Sequence, residues 1–146
     1  MKEVRKYIAY GSNLNVEQMN YRCPDSKVIC KGVIKDYKLL FKGSMSGNYL
    51  TIEPAKGYEV PVVIWAVSES DEHNLDIYEG WPRFYRKETL PVETEDGVIT
   101  DSFAYIMNGH ELGAPTNRYF NTCLSGYRSF GFNPEILVQA VNESMK

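Results

Sequence analysis

Apolar and polar positions along the chain fall into short β-like stretches over most of its length. Runs rich in Val, Ile, Tyr and Phe occupy residues 6–10, 26–34, 37–43, 49–53, 60–68, 85–94 and 98–107, with turn residues between them. Asp96-Gly97, between two such runs, predicts a hairpin, because this dipeptide accepts the positive φ angles of a tight turn. Pro61 heads the run PVVIWAV, where a residue without an N–H is tolerated in a ladder.

Helical spacing is rarer. Residues 15–22 start from Asn15 as a cap, and residues 70–79 start from Ser70 with Asp71 and Glu72 in the first turn. Residues 116–130 follow Pro115 with Thr116 as cap and Gly131 as stop, and residues 134–144 follow Asn133 with Pro134 at the first helical position. Strands and helices are segregated rather than alternating, which predicts an α+β fold with the sheet curled or closed into a small barrel. No repeat or linker divides the sequence, so residues 1–146 read as a single domain.

Composition narrows the function classes. Sixteen Lys and Arg against 19 Asp and Glu leave a net charge of -3, which disfavours non-specific binding to nucleic acid. Eleven tyrosines supply apolar area with a hydroxyl handle, suited to a barrel core or a ligand pocket. The cysteines (Cys23, Cys30, Cys123) have neither metal-site spacing nor a plausible disulfide framework. The charged start lacks a signal-peptide core, and no apolar run approaches the ~20 residues of a membrane span. The expectation is a cytoplasmic protein with no membrane partner.

His73 and His110 read as surface residues, with no second ligand at metal spacing, so neither a metal nor a cofactor is expected. Ser12 lacks the frame of a hydrolase elbow and any obvious base. No protein nucleophile stands out. Three places carry other chemistry. In Tyr10-Gly11-Ser12-Asn13-Leu14, a strand-to-helix break, the backbone N–H groups either cradle an anion or carbonyl oxygen or simply make a capped turn. Glu79, between Tyr78 and the Gly80-Trp81-Pro82 break, is either a desolvated general base or a solvated carboxylate before a glycine C-cap. Trp81 and Phe84 read as core or rim packing. Tyr105, in a strand, and Tyr119, early in a helix, serve packing or present hydroxyls to a pocket.

Taken in order, YGSNL, then Arg22-Cys23-Pro24, DYKLLF, LDIYEG, a tyrosine soon after, AYIM and P-T-x-x-Y resemble the γ-glutamylcyclotransferase-like superfamily, which includes the plant AIG2-like proteins. The resemblance runs from about residue 7 to about residue 135. It implies a small mixed β-barrel of about six or seven strands, flanked by helices, with the YGSN loop at the cavity mouth. It also implies an enzyme without a nucleophile of its own, acting on a small-molecule γ-glutamyl substrate. The substrate's α-amine attacks its own side-chain amide carbonyl, closing 5-oxoproline and releasing an amine or amino acid. Carried over by position, Glu79 is the catalytic acid and base. Tyr10, Gly11, Ser12, Asn13 and Leu14 form the binding loop, and Tyr105 and Tyr119 face the pocket. Arg22 matches a position with a structural or anion-binding role. The segment Trp81-Pro82-Arg83-Phe84 departs from the family pattern, so the leaving group is not implied. The rival reading keeps the barrel and the loop as a non-catalytic module that binds small carboxylates.

Overall fold

A computed structural model describes residues 4–44 and 47–145. Strand β1 (Arg5–Ala9) leads through a 3-10 turn (Ser12–Leu14) into helix α1 (Val16–Arg22). Two long strands follow, β2 (Lys27–Ser44) and β3 (Gly47–Val67), then helix α2 (Glu69–Glu79). Strands β4 (Tyr85–Thr94), β5 (Gly97–Met107) and the short β6 (Glu111–Leu112) precede helices α3 (Asn117–Ser129) and α4 (Glu135–Ser144).

The strands lie in the order β3-β1-β5-β4-β2-β6, and an added β2–β3 pairing closes the first five into a barrel. Only the β1–β5 pairing is parallel among the described pairings, so the barrel is mixed, as the family resemblance implies. Closure removes the free edges that an open sheet of this size would expose. Fully buried Ile8, Phe41, Ile52, Val60, Ile64 and Val92 anchor the core, each stabilising it by roughly 1.5–3 kcal/mol. At the crossing of β2 and β4, Gly32 leaves no room for a side chain. A Cβ there would sit 2.5 Å from Val92 Cγ1 and 2.8 Å from the Glu93 carbonyl oxygen.

Several expected boundaries shift. The runs 26–34 and 37–43 are two halves of β2, and 49–53 and 60–68 are two halves of β3. The ribbon they form bends instead of breaking: its register slips between Lys35 and Tyr37, where Asp36 has φ 60°. Asp36 Oδ1 accepts from Gly57 N at 2.9 Å, which secures the bulge. Strand β6 has only two residues, too few for a periodic signal. In the expected hairpin, Thr94 pairs with Gly97, so Glu95 and Asp96 form the turn and Gly97, with φ 123°, follows it.

Helix α2 is capped by Ser68 rather than Ser70. The Ser68 hydroxyl accepts from Asp71 N at 3.1 Å and Asp71 Oδ2 accepts from Ser68 N at 3.2 Å, a reciprocal pair. Asp71 Oδ1 also accepts from Asp25 N at 3.3 Å, a contact from outside the helix that favours this start. Asn15 and Thr116 cap α1 and α3 as expected. At α4, Pro134 is itself the cap residue, while Asn133 Oδ1 accepts from Glu135 N at 3.0 Å. Among the described residues no helix is long and apolar enough to cross a membrane.

Candidate active site

The chain leaves β1 at Ala9, and Tyr10 and Gly11 carry it into the 3-10 turn, held by Leu14 N donating to Gly11 O at 3.0 Å. Leu14 is the first donor of that turn, so the amides of Ser12 and Asn13 precede its ladder and have no partner within it. Helix α3 presses on the turn from below at Gly126, where a Cβ would lie 2.5 Å from Leu14 C. The loop is therefore fixed from underneath by a position over a hundred residues away in sequence.

On the opposite wall, α2 ends at Glu79 because Gly80 adopts the left-handed conformation, φ 67° and ψ 35°. Trp81 N then donates back to Asp76 O at 2.9 Å, closing the C-cap. Loop and helix end meet directly: Ser12 Oγ and Tyr78 Oη are 3.1 Å apart.

Between them is a cavity of about 320 Å³. Tyr10, Gly11, Ser12 and Asn13 form one side, and Ile77, Tyr78, Glu79 and Gly80 another. Tyr7, Tyr49, Leu50, Phe84, Tyr85, Tyr105 and Tyr119 complete it. Among these lining residues Glu79 is the sole carboxylate, and no Lys, Arg or His takes part. Gly11 leaves a gap here, since a Cβ on it would project to 3.4 Å from Tyr119 Oη.

Glu79 makes no hydrogen bond or ion pair with any described residue. Burial pushes its carboxyl pKa up to about 8, against a smaller downward pull from the Arg22 guanidinium. Of the two aromatics nearest to it in sequence, one shares its cavity. Tyr78 does line the cavity, but Trp81 does not: its ring, 44% exposed, lies under Lys87 Nζ at 4.3 Å. The barrel tyrosines provide the burial instead. Their own phenols are raised by burial first and by the Glu79 charge next, at Tyr7, Tyr10 and Tyr85.

The sequence-predicted residues mostly converge. Glu79, Tyr10, Gly11, Ser12, Asn13, Tyr105 and Tyr119 all reach the cavity. Leu14 does not: it is fully buried beneath the loop against α3. Tyr119 Oη accepts from Leu50 N at 3.1 Å, and Tyr105 Oη donates to Asp76 Oδ1 at 2.6 Å. Asp76 also pairs with Lys87 Nζ at 2.7 Å, which ties the last turns of α2 to β4 and β5. Arg22 stacks its guanidinium 3.4 Å over the Tyr78 ring and donates to Asn13 Oδ1. Asn13 Nδ2 in turn donates to Tyr7 Oη at 2.8 Å.

Sequence reasoning did not assign Tyr7, Tyr49, Leu50 or Tyr85 to the site, although all four line it. The tyrosine excess signalled the phenols without saying which converge, Tyr85 also stands in the family pattern as the tyrosine after LDIYEG, and Leu50 had no advance signal. Cys23 and Cys123 are fully buried, and burial lifts both thiols to about 12, so neither is a ready nucleophile. Among the described residues no three His, Cys, Asp or Glu side chains gather to hold a metal.

Comparison with known proteins gives these features a family context. The sequence model of the family described as "Gamma-glutamyl cyclotransferase, AIG2-like" matches residues 7–121. The "Gamma-glutamylcyclotransferase" of Mus musculus is 31% identical over 137 residues, spanning 88% of this chain and 73% of that protein. Its Homo sapiens counterpart of the same name is 30% identical over 133 residues, spanning 86% of this chain and 71% of that protein. A solved structure called "Gamma-glutamyl cyclotransferase" superposes with a TM-score of 0.85 at 29% identity, covering 94% of this chain and 86% of that one. Fold and sequence match therefore agree, and the chain belongs to the γ-glutamyl cyclotransferase, AIG2-like family.

Proposed function

We propose that this protein cyclises the γ-glutamyl group of a small substrate to 5-oxoproline and releases an amine or amino acid. The observation that carries the reading is Glu79: a carboxyl at a helix end with no hydrogen bond or ion pair among the described residues, its pKa raised to about 8, in a cavity whose other wall is the Gly11–Asn13 loop. The reaction begins with the substrate's α-ammonium, whose ordinary pKa is near ~8. A carboxylate tuned to the same range accepts that proton at little free-energy cost.

The freed α-amine then attacks the γ-carbonyl carbon within the same molecule. A new C–N bond closes the five-membered ring while the old amide C–N bond breaks; the Glu79 proton goes to the departing nitrogen, and the ring nitrogen then gives up its second hydrogen through the regenerated Glu79 carboxylate to the amine product, which leaves as an ammonium. No water and no protein nucleophile enters the balance. Intramolecular attack has a high effective molarity, so the protein's work is to fold the chain back and carry protons from the α-nitrogen to the departing one. The loop amides of Ser12 and Asn13 suit the oxyanion that forms at the γ-carbonyl, or the substrate carboxylate.

The test offers purified protein a panel of γ-glutamyl amino acids and γ-glutamyl amines and assays 5-oxoproline. Glu79→Gln, which preserves shape and removes the proton carrier, is expected to lower turnover by about 10²–10⁴-fold. Turnover untouched by that change would sink the mechanism. Binding without 5-oxoproline release from any compound would favour a non-catalytic carboxylate-binding module instead.

A further inference from the structure

The cavity hydroxyls are not interchangeable, because the proteins' own hydrogen bonds have already committed several of their protons. Tyr85 Oη bonds the Leu50 carbonyl oxygen at 2.8 Å, and Tyr10 Oη bonds the Tyr105 carbonyl oxygen at 2.6 Å. A carbonyl oxygen cannot donate, so in both bonds the phenol gives up its hydrogen. What these two oxygens can still offer a ligand is lone pairs only. Tyr85 keeps both of them, whereas Tyr10 keeps one, since the Thr51 hydroxyl bonds its oxygen.

Tyr7 is polarised the other way. Its oxygen accepts from Asn13 Nδ2 at 2.8 Å, so its own hydrogen is left to donate. The cavity therefore has an acceptor wall (Tyr10, Tyr85) and a donor side (Tyr7 with the loop amides), and Glu79 belongs to the same cavity. An ammonium group has three donors and no acceptor; a carboxylate or oxyanion has acceptors only. The two ends of a γ-glutamyl group thus fit this cavity in one orientation.

We propose that Tyr85 and Tyr10 form the binding wall for the substrate's α-ammonium, holding it next to Glu79, while Tyr7 and the loop take the oxygen-bearing groups. The inference rests on the cyclotransferase reading and deepens it by assigning the amine end of the substrate to named atoms. It also states a specificity: γ-amides that lack the α-amine lose their contacts to this wall.

Two small ligands separate the ammonium contribution from the rest. L-glutamine carries the α-ammonium, and the monoamide of glutaric acid is the same molecule without it. Calorimetric titration near pH 7 compares both on the wild-type protein, Tyr85→Phe and Tyr10→Phe, each variant first checked for folding by its thermal melt. Wild type is expected to prefer L-glutamine. Tyr85→Phe is expected to weaken L-glutamine by about tenfold or more while leaving the monoamide within about threefold. Tyr10→Phe is expected to give the same selective loss, smaller in size, and carries the test by itself if Tyr85→Phe does not fold. Equal loss of both ligands in the folded variants, or no loss of either, overturns the inference. So does a wild-type protein that does not prefer L-glutamine. If that protein still releases 5-oxoproline from γ-glutamyl compounds, the cyclotransferase reading survives; if it releases none, that reading falls as well.

Discussion

Ser12 Oγ lies 3.1 Å from Tyr78 Oη, joining the loop after β1 to the last turn of α2 across 66 positions of sequence. The contact aligns the two halves of the site. The loop contributes amides that precede the ladder of its 3-10 turn, and the helix end contributes Glu79. Neither half is a site alone: a turn without a base is a turn, and a carboxylate without a cavity is solvated. What makes Glu79 unusual is its surroundings, a ring of tyrosines held on the barrel.

The raised pKa has a stability consequence of defined sign. Glu79 binds its proton more tightly in the folded protein, near 8, than at the ordinary 4.5. The stability it contributes is therefore complete below pH 4.5 and is lost as pH rises toward 8. Glu79→Gln removes this dependence. Urea unfolding at pH 5 and pH 8.5 should show wild type losing stability relative to the variant, by an amount on the order of a few kcal/mol. An identical pH response in both proteins would show that Glu79 titrates normally.

Arg22 tunes the same group. Its guanidinium favours the ionised form of Glu79, so its removal raises that pKa further. In Arg22→Gln, the rising limb of kcat/KM against pH, which reports the free protein, should move to higher pH than in wild type. A limb that stays in place or moves down contradicts the assignment of Glu79 as the titrating base.

Asn13 is 2% exposed and bridges Arg22 to Tyr7 through both ends of its amide. Asn13→Ala leaves Tyr7 Oη without its donor and takes one acceptor from Arg22, which keeps Gln18 Oε1 at 3.4 Å, at a cost of about 1–3 kcal/mol. Chemical denaturation should register that loss, and kcat/KM should fall with it, because Tyr7 loses the partner that orients its proton into the cavity.

Gly126 lies outside the cavity lining yet supports its loop. In Gly126→Ala the new methyl meets the Leu14 backbone, which cannot rotate away as a side chain can. The expected cost is about 1–3 kcal/mol in the melt, together with reduced kcat/KM at a residue that touches no substrate. Unchanged kinetics would mean that the loop tolerates displacement.

The parts of this site are local and visible in the residues, though each kept two readings until the family resemblance joined them. A Gly-Ser-Asn break between an apolar strand and a helix is visible within a few positions. So is a glutamate immediately before the glycine that stops its helix, and the caps at Asn15 and Thr116 come from the same short-range chemistry. Local rules also misplaced a boundary. Ser70 reads as the cap of α2 from its neighbours, yet Ser68 caps it, and the contact from Asp25 to Asp71, across 46 positions, favours that earlier start.

The cavity wall belongs to another class of information. Strand periodicity identifies Tyr7, Tyr85 and Tyr105 as strand residues but does not say that they face one another. That depends on barrel closure through the β2–β3 pairing and on the β4–β5 register that sets Tyr85 opposite Met107. The same holds for the state of Glu79. Its position at a helix end follows from the adjacent glycine, whereas its pKa follows from desolvation by side chains distant in sequence. Backbone dihedrals and caps are set by neighbours along the chain, and so could be read directly. Burial, hydrogen-bond direction and charge arise between segments that meet only when the barrel closes.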